Sequence, residues 1–248
     1  MKYKALFLDL DGTTIPNKSD GMPSEKVREA IHKAKALVFV CIATSRPLVI
    51  AKHIIDHLDI RGLCVVNDAT QIYDPVKKKF LQTIYVDSTC IPNIVRIAKR
   101  FGVKLMMNNG RSERVAGDGW KREKICSLYI PTVTPGIAQR IIDELTKIPN
   151  IAVHKIPSWT AGEICISVSH ASATKFYCVM TVAKMLDIAP KEMIGVGDGY
   201  NDYPLLSACG LKIAMGNAAP ELKAIADFIA PSVDEDGVAT VIEKFILS

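Results

Sequence analysis

A chain of 248 residues has room for one large domain or two smaller ones, and its 49% hydrophobic and 23% charged residues are typical of a soluble globular protein. The formal net charge is +5, but lysine and arginine are scattered and no zinc-finger or RNA-binding signature is present, so we expect no nucleic-acid partner. Seven cysteines without a C-x-x-C pair predict a reducing compartment, and no apolar run reaches the length of a membrane span. We therefore expect a cytoplasmic protein without a membrane partner, whose oligomeric state the sequence leaves open.

The first segment, residues 1–78, alternates short apolar runs with amphipathic stretches. Ala5 to Leu8 is an apolar run that breaks abruptly into polar residues and glycine, which predicts a buried strand followed by a tight turn. Ser24 is the predicted N-cap of the first helix. The alternation predicts a parallel, right-handed β-α-β-α-β unit. Its predicted elements are strands over 5–8, 37–43 and 62–66 and helices over 24–34 and 47–58.

The pattern changes in the middle of the chain, where strands outnumber helices. This change predicts an α+β domain with a largely antiparallel sheet over residues 79–168, inserted into the first domain. Its predicted elements are strands over 80–86, 103–107, 125–130, 151–155 and 163–168, helices over 91–101 and 136–147, and a loop over 108–118.

The opening pattern returns over residues 169–248, where Lys175 begins a helix and Pro204 is tolerable in the first turn of another. The predicted fold class is therefore α/β: a Rossmann-like, doubly wound parallel sheet formed by residues 1–78 and 169–248, with the inserted α+β domain between them. The other predicted elements of this segment are strands over 193–196, 211–214 and 228–230 and a closing helix over 237–247.

Polar side chains follow three of the predicted parallel strands, at the sheet edge where open α/β sheets bind ligands. They are Asp9 and Asp11, then Thr44, then Asp198 with Asn201 and Asp202, while Lys175 opens a helix between them. Such carboxylates can together hold a hard cation such as Mg²⁺, and a lysine, a threonine hydroxyl and backbone N–H groups can cradle a phosphate. One carboxylate can attack phosphorus while a second manages the proton. Asp11 and Gly12 alone would also fit a simple turn, so it is the joint placement that favours phosphate chemistry.

Several stretches in the two outer segments share one family pattern. They are DLDGTT (9–14), VFVCIATSRP (38–47), the helix-opening Lys175, GVGDGYND (195–202), AMGNAAPELKAIAD (214–227) and EDGVATVIEKF (235–245). In this order they closely resemble the haloacid dehalogenase (HAD) superfamily, specifically its Cof-like subfamily IIB phosphatases. The resemblance implies a HAD core built from the two outer segments, with residues 79–168 as an α/β cap that closes over the site and chooses the substrate.

The resemblance also implies a role for each site residue. Asp9 would be the nucleophile that forms an aspartyl-phosphate, and Asp11 would protonate the leaving alcohol and then activate the water. Phosphate binding would fall to Thr44, Ser45, Lys175 and Asn201, and Mg²⁺ would be held by Asp9, the main-chain carbonyl of Asp11, Asp198 and Asp202.

Three positions depart from the glycine that is usual in this family. Ser45 follows the threonine, and its backbone N–H can still donate to a phosphate. Asp68 follows Asn67 and is interpreted as a turn residue that tolerates positive φ, although a carboxylate there would also repel an anionic substrate or bind a hydroxyl or an amine. Phe176 follows Lys175, and the helix after that lysine keeps the family's length and apolar pattern.

The predicted function is a Mg²⁺-dependent phosphatase that hydrolyses small phosphorylated metabolites, sugar phosphates above all, through an aspartyl-phosphate. Two alternatives stay open: a phosphomutase or phosphotransferase on the same core, and a non-catalytic protein that binds a phosphometabolite. A cap that excludes water and holds a second phosphate would favour the mutase, whereas a costly acidic cluster argues against a pure binding protein. Charged residues of the predicted cap loops are interpreted as solvated: Arg111, Arg114, Lys121 and Arg122.

Overall fold

The structure, a computed structural model, describes residues 2–117, 123–158 and 160–248, so Lys121 and Arg122 lie outside the described part of the chain. In chain order the strands are β1 (Ala5–Leu8), β2 (Phe39–Ile42), β3 (Cys64–Val66), β4 (Gln71–Asp74), β5 (Lys79–Thr83), β6 (Met106–Asn108), β7 (Glu113–Val115), β8 (Ser127–Val133), β9 (Ile151–Pro157), β10 (Ile164–His170), β11 (Met193–Gly197), β12 (Leu211–Ala214) and β13 (Phe228–Ile229). The helices are α1 (Glu25–Ala34), α2 (Leu48–His57), α3 (Ile91–Arg100), α4 (Pro135–Leu145), α5 (Lys175–Met185), α6 (Tyr203–Ala208), α7 (Pro220–Ala224) and α8 (Gly237–Phe245).

Five parallel strands form the main sheet in the order β13-β12-β11-β1-β2. The side chains of β1 are fully buried, because the strand lies at an inner position and helices α1, α2, α5, α6 and α8 contribute to the hydrophobic cluster around it. The register pairs Leu8 with both Val196 and Ile42, so the residues that follow these three strands leave the sheet at one edge. The predicted doubly wound α/β fold is confirmed.

A three-stranded antiparallel sheet, in the order β3-β4-β5, adjoins the main sheet. The predicted strand over 62–66 forms as β3, which is joined in parallel to the chain after β2 by a bridge between Ala43 and Val65 and pairs antiparallel with β4 on its other edge. The antiparallel pairing follows from the turn between β3 and β4, in which Asn67, Asp68 and Ala69 have φ values of 57°, 52° and 58° and reverse the chain. The sequence pattern does not predict β4, since QIYD contains no apolar run.

Shortly after β5 the chain passes from one hydrophobic cluster to another. Phe80 of this strand and the following Ile84 pack against the cluster of the main sheet, and β5 itself pairs with β4. Val86 packs instead in a second cluster. We keep the predicted division into residues 1–78, 79–168 and 169–248 as a proposal, with its first boundary moved to the interval between Ile84 and Val86.

The second sheet has five antiparallel strands in the order β7-β6-β8-β10-β9, as the pattern of the middle segment predicts. Leu128 and Ile130 of β8 belong to the cluster that includes residues of α3 and α4. Ser127 and Tyr129 alternate with them and line a cavity on the opposite face, towards the main sheet. The predicted loop over 108–118 is wrong in part, because β7 forms within it and pairs with β6 although its sequence has no apolar run.

The helix starts agree with the sequence. Oγ of Ser24 accepts a hydrogen bond from Val27 N at 3.2 Å, which confirms the predicted N-cap of α1. Helix α5 begins at Lys175, with Thr174 as its N-cap, and Pro204 lies in the first turn of α6. Across the three described ranges, every helix is too short or too polar to cross a membrane.

Candidate active site

The carboxyl ends of β2, β1 and β11 bring the predicted site residues to one edge of the main sheet. A cavity of about 240 Å³ lies between this edge and the polar face of the second sheet. Lys175 and Asp202 are buried next to Asp9, and Thr44 is buried at the end of β2, where its Oγ1 accepts from Arg46 N at 3.1 Å. The predicted site residues that line the cavity are Asp9, Asp11, Ser45, Asp198 and Asn201.

A buried lysine joins two of the carboxylates. Nζ of Lys175 donates to Oδ1 of Asp9 at 2.6 Å and to Oδ1 of Asp202 at 2.5 Å. The lysine is placed by the first turn of α5, where the side chain of Thr174 accepts from Tyr177 N. Burial opposes the charged ammonium, but the two carboxylates outweigh it and raise the pKa of Lys175 above its ordinary value. The lysine is therefore a fixed positive charge behind the cavity.

Asp198 is held by the loop that follows β1. Oγ1 of Thr13 donates to Oδ1 of Asp198 at 2.8 Å, and Nδ2 of Asn217 donates to the carbonyl of Gly12 at 2.8 Å. Gly12 has a φ of 78°, and a Cβ at this position would lie 2.3 Å from Oδ2 of Asp198, so the close approach of the two segments requires glycine. Burial, followed by the charge of Asp202, raises the pKa of Asp198 to about 7.

Three carboxylates provide the donor set of a divalent metal site. Asp9, Asp198 and Asp202 each offer one oxygen, and these atoms lie within 4.8 Å of one another. The ammonium of Lys175 offsets one of the three negative charges. Burial, followed by the charge of Asp202, raises the pKa of Asp9 well above its ordinary value, as expected where negative charge is in excess. Oxygen donors with excess negative charge fit a hard cation such as Mg²⁺.

Asp202 and Asp11 are engaged differently from the other two carboxylates. Oδ2 of Asp202 accepts from the backbone N–H groups of Asp198 and Gly199, both at 3.0 Å, while its Oδ1 accepts from the lysine. Asp202 therefore orients the loop after β11. The side chain of Asp11 lies outside the carboxylate cluster, and the assignment of its main-chain carbonyl to the metal stays a prediction.

Arg46 is a site residue to which the sequence reasoning gives no role. Its Nε donates to Oδ2 of Asp11 at 2.8 Å and its Nη2 donates to Oδ1 at 2.5 Å, in a bidentate pair. The guanidinium also donates to the carbonyls of Lys18 and Ser19, and its side chain is only 3% exposed. Arg46 thus fixes the orientation of Asp11. The signal available in the sequence is its place two residues after Thr44, at the end of the same strand.

Arg46→Lys is expected to lower kcat by about 10–100-fold with a smaller change in KM, because lysine keeps the charge but cannot form the planar fork that orients Asp11. Steady-state kinetics on a phosphate monoester would measure this. Arg28→Lys, on the exposed face of α1 where Arg28 pairs with Glu25, is the matched control and should leave both constants unchanged. An unaltered kcat in Arg46→Lys would show that the fork does not position Asp11.

The residues that depart from the family's glycines are accommodated in different ways. Nδ2 of Asn201 donates to Oγ of Ser45 at 3.4 Å, at the cavity wall. The positive φ of Asp68 confirms its interpretation as a turn residue, and its carboxylate also accepts a hydrogen bond from Oγ of Ser167 in β10. Phe176 is 45% exposed, so its ring lies at the surface.

The carboxylate cluster at the strand ends and the buried lysine border a cavity at the sheet edge where α/β enzymes bind their ligands. The family model of haloacid dehalogenase-like hydrolases matches residues 6–125 and 118–242. The chain therefore belongs to this family, and the predicted resemblance is confirmed. The predicted enzyme class, a phosphatase of the haloacid dehalogenase type, is confirmed with it.

Two similar proteins from Bacillus subtilis (strain 168), YwtE and YcsE, are 5-amino-6-(5-phospho-D-ribitylamino)uracil phosphatases. YwtE is 26% identical, with 98% of this chain and 98% of its own length covered. YcsE is 23% identical, with 98% and 96% covered. Among solved structures, the HAD subclass IIB sugar phosphatase BT4131 matches with a TM-score of 0.81 at 18% identity, covering 98% of each chain. At 18% identity this structural similarity shows a shared fold and nothing further.

Proposed function

We propose that this protein is a Mg²⁺-dependent phosphatase that hydrolyses small phosphorylated metabolites, with sugar phosphates favoured, through an aspartyl-phosphate on Asp9. The observation that carries the proposal is the ammonium of Lys175, 2.6 Å from Oδ1 of Asp9, within a carboxylate cluster that borders the cavity. This arrangement orients a carboxylate and provides positive charge for a phosphate. The ribitylamino-uracil and sugar phosphatases to which the chain is similar support the sugar-phosphate class.

The first half of the proposed reaction moves the phosphoryl group onto the protein. Lys175 fixes Asp9 through Oδ1, and Oδ2 of Asp9 forms a bond to phosphorus as the bond from phosphorus to the ester oxygen breaks. Asp11, which Arg46 orients, would pass a proton to the leaving oxygen. The alcohol is thereby released.

The second half regenerates the carboxylate. Asp11 takes a proton from a water molecule whose oxygen attacks phosphorus, and the bond from phosphorus to Oδ2 of Asp9 breaks. Inorganic phosphate is the second product. Bound Mg²⁺ would be held by Asp9, Asp198 and the main-chain carbonyl of Asp11, with Asp202 in support, and would offset charge on the phosphoryl oxygens.

The phosphate-binding role is proposed for the polar groups nearest the nucleophile, namely Thr44, Ser45, Lys175 and Asn201. Oγ1 of Thr44 accepts from Arg46 N and so keeps its own hydrogen for donation. Ser45 and Asn201 line the cavity beside Asp9. A cytoplasmic location is part of the proposal, supported by the seven cysteines, which are all free thiols.

Phosphate release is expected from some members of a panel of sugar phosphates, nucleotides, pyridoxal phosphate and phosphoglycolate. EDTA should reduce this release at least ~100-fold, because without Mg²⁺ the excess negative charge of the carboxylate cluster would repel the phosphate ester. Restoration by excess Mg²⁺ is the control for damage by the chelator. Release that is indifferent to EDTA would remove the metal from the proposal. No release from any ester by folded protein with Mg²⁺ would overturn the phosphatase itself.

A further inference from the structure

The cavity has a second side, opposite Asp9, that the proposed chemistry does not use. We call it the polar wall and define it as Glu113, Ser127, Tyr129, Ser158 and Ser167. In β7, β8 and β10 these side chains alternate with residues directed to the other face of the second sheet. Arg114, for example, follows Glu113 in β7 and pairs with Glu123 at 3.0 Å, and it does not line the cavity. The leaving group of a substrate would lie against the polar wall.

Glu113 is held rigidly in this wall. Its Oε1 accepts from Nδ2 of Asn108 at 3.0 Å, and its Oε2 accepts from the hydroxyl of Tyr129 at 2.8 Å. Asn108 is itself buried, and its Oδ1 accepts from Gly110 N. An ionised carboxylate has about four lone-pair sites, so Glu113 keeps acceptor capacity towards the cavity without freedom to turn away from it.

The phenol of Tyr129 stays protonated beside this carboxylate. Burial, followed by the hydrogen bond to Glu113, raises the pKa of Tyr129 above its ordinary value. Its single hydrogen is used in that bond, so towards the cavity its oxygen can only accept.

The three serines of the wall have also used their hydrogens. A backbone carbonyl, a side-chain amide oxygen or a carboxylate can only accept, so a hydroxyl bound to one must be the donor. The hydroxyls donate as follows: Ser127 to Oδ1 of Asn67 at 3.2 Å, Ser158 to the carbonyl of Pro131 at 3.1 Å, and Ser167 to Oδ2 of Asp68. Towards a ligand the four hydroxyl oxygens of the wall can therefore only accept, and Oγ of Ser158 already accepts from Thr160 N at 3.2 Å.

The charges around the cavity favour the same ligands as the hydrogen bonds of the polar wall. Glu113 and Asp68 both line the cavity as carboxylic side chains. Among the lining residues in the described ranges the cation is Arg46, and Asp11 neutralises it in a bidentate pair. A ligand that brings hydroxyls or an ammonium to the wall finds acceptors, whereas a second phosphate or a carboxylate meets lone pairs and negative charge.

We propose that the polar wall selects leaving groups that donate hydrogen bonds, namely polyols and amino-polyols, and rejects those with a second anionic group, with Glu113 as the specificity-determining residue. The inference rests on the proposed phosphatase. It also argues against the phosphomutase alternative, because a mutase must bind a second phosphate on this side of the cavity.

Two matched pairs of substrates test the inference. Sorbitol 6-phosphate and 6-phosphogluconate differ by one hydroxymethyl group replaced with a carboxylate, and glucose 6-phosphate and glucosamine 6-phosphate differ by one hydroxyl replaced with an ammonium. We expect kcat/KM to be at least about tenfold higher for sorbitol 6-phosphate than for 6-phosphogluconate, and at least equal for glucosamine 6-phosphate relative to glucose 6-phosphate.

Glu113→Gln should lower the kcat/KM ratio of sorbitol 6-phosphate to 6-phosphogluconate by about tenfold, mainly through KM, and should also lower the ratio of glucosamine 6-phosphate to glucose 6-phosphate, because the amide keeps the shape but loses the charge and presents a donor. Ratios between matched substrates are not moved by a general loss of folded protein. Glu29→Gln, which removes one negative charge from the exposed face of α1, is the control and should leave the ratios unchanged. Ratios that Glu113→Gln does not move would overturn the assignment of Glu113.

Equal or preferred turnover of 6-phosphogluconate would overturn the inference while leaving the phosphatase intact. If Lys121→Ala/Arg122→Ala then abolished that preference, anion recognition would belong to those two side chains and not to the polar wall. Calorimetric binding of the four esters to Asp9→Asn separates the two proposals. If the unmodified protein hydrolyses none of the esters, the proposed phosphatase activity is wrong. Tighter binding of sorbitol 6-phosphate than of 6-phosphogluconate to Asp9→Asn would still support the selectivity of the polar wall, and the opposite order would overturn it.

Discussion

Asp9→Asn is expected to lower kcat by about 10⁴-fold or more, because an amide cannot form the aspartyl-phosphate on which the proposed turnover depends. The amide has nearly the size of the carboxylate, so the cavity keeps its shape. In the metal-free protein we expect no loss of thermal stability. Burial and the charge of Asp202 raise the pKa of Asp9, so its ionised form is unfavourable in the fold and the neutral amide removes that cost.

Phosphate release and a thermal melt measure the two parts of this prediction on one preparation. Asp56→Asn is the matched control, because Asp56 is an exposed carboxylate that pairs with Lys52 on α2, and it should keep full activity. Activity in Asp9→Asn within tenfold of the unmodified protein would show that a different group, or water directly, attacks phosphorus. A large fall in melting temperature would show that the carboxylate is needed for folding.

The main sheet and the carboxylates at its edge could be predicted from the sequence because both depend on local patterns. An apolar run such as Ala5–Leu8 is buried whichever strands it pairs with. The residues that follow neighbouring parallel strands all leave the sheet at its carboxyl edge. Lys175 could be placed because the apolar face that follows it marks a helix in the sequence, and α5 begins at this residue. Their roles in binding and catalysis stay predictions.

Other features depend on contacts between segments far apart in the chain. The pair of Arg46 with Asp11 joins two strand ends separated by 35 positions, and nothing in either local sequence selects the partner. Three consecutive residues of positive φ turn β4 back onto β3, whereas no apolar run in the sequence marks β4 as a strand. The polar wall is assembled from three strands of the second sheet and the chain after β9, and the donor direction of each hydroxyl follows from its partner in space.

Lys175→Met is expected to lower the free energy of unfolding of the metal-free protein by about 3–5 kcal/mol, because the buried carboxyl groups of Asp9 and Asp202 must then stay charged without their cation or take up protons. Asp9 and Asp202 are 4% and 0% exposed, so water can compensate only in part for the loss of an ammonium at 2.6 Å and 2.5 Å. The expected loss in kcat is about 10²–10³-fold, since the same charge would stabilise the transferring phosphoryl group. Urea unfolding and steady-state kinetics measure the two effects.

The double variant Lys175→Met/Asp202→Asn separates the structural role of the lysine from its catalytic role. Removing one of the two stranded charges should recover at least half of the lost stability, because the penalty comes from uncompensated buried charge and not from a missing contact. It should not recover kcat, because the cation beside Asp9 is still absent. Recovery of activity together with stability would mean that Lys175 acts only by keeping the site folded, and phosphate binding would then rest on Mg²⁺, Thr44 and the backbone N–H groups.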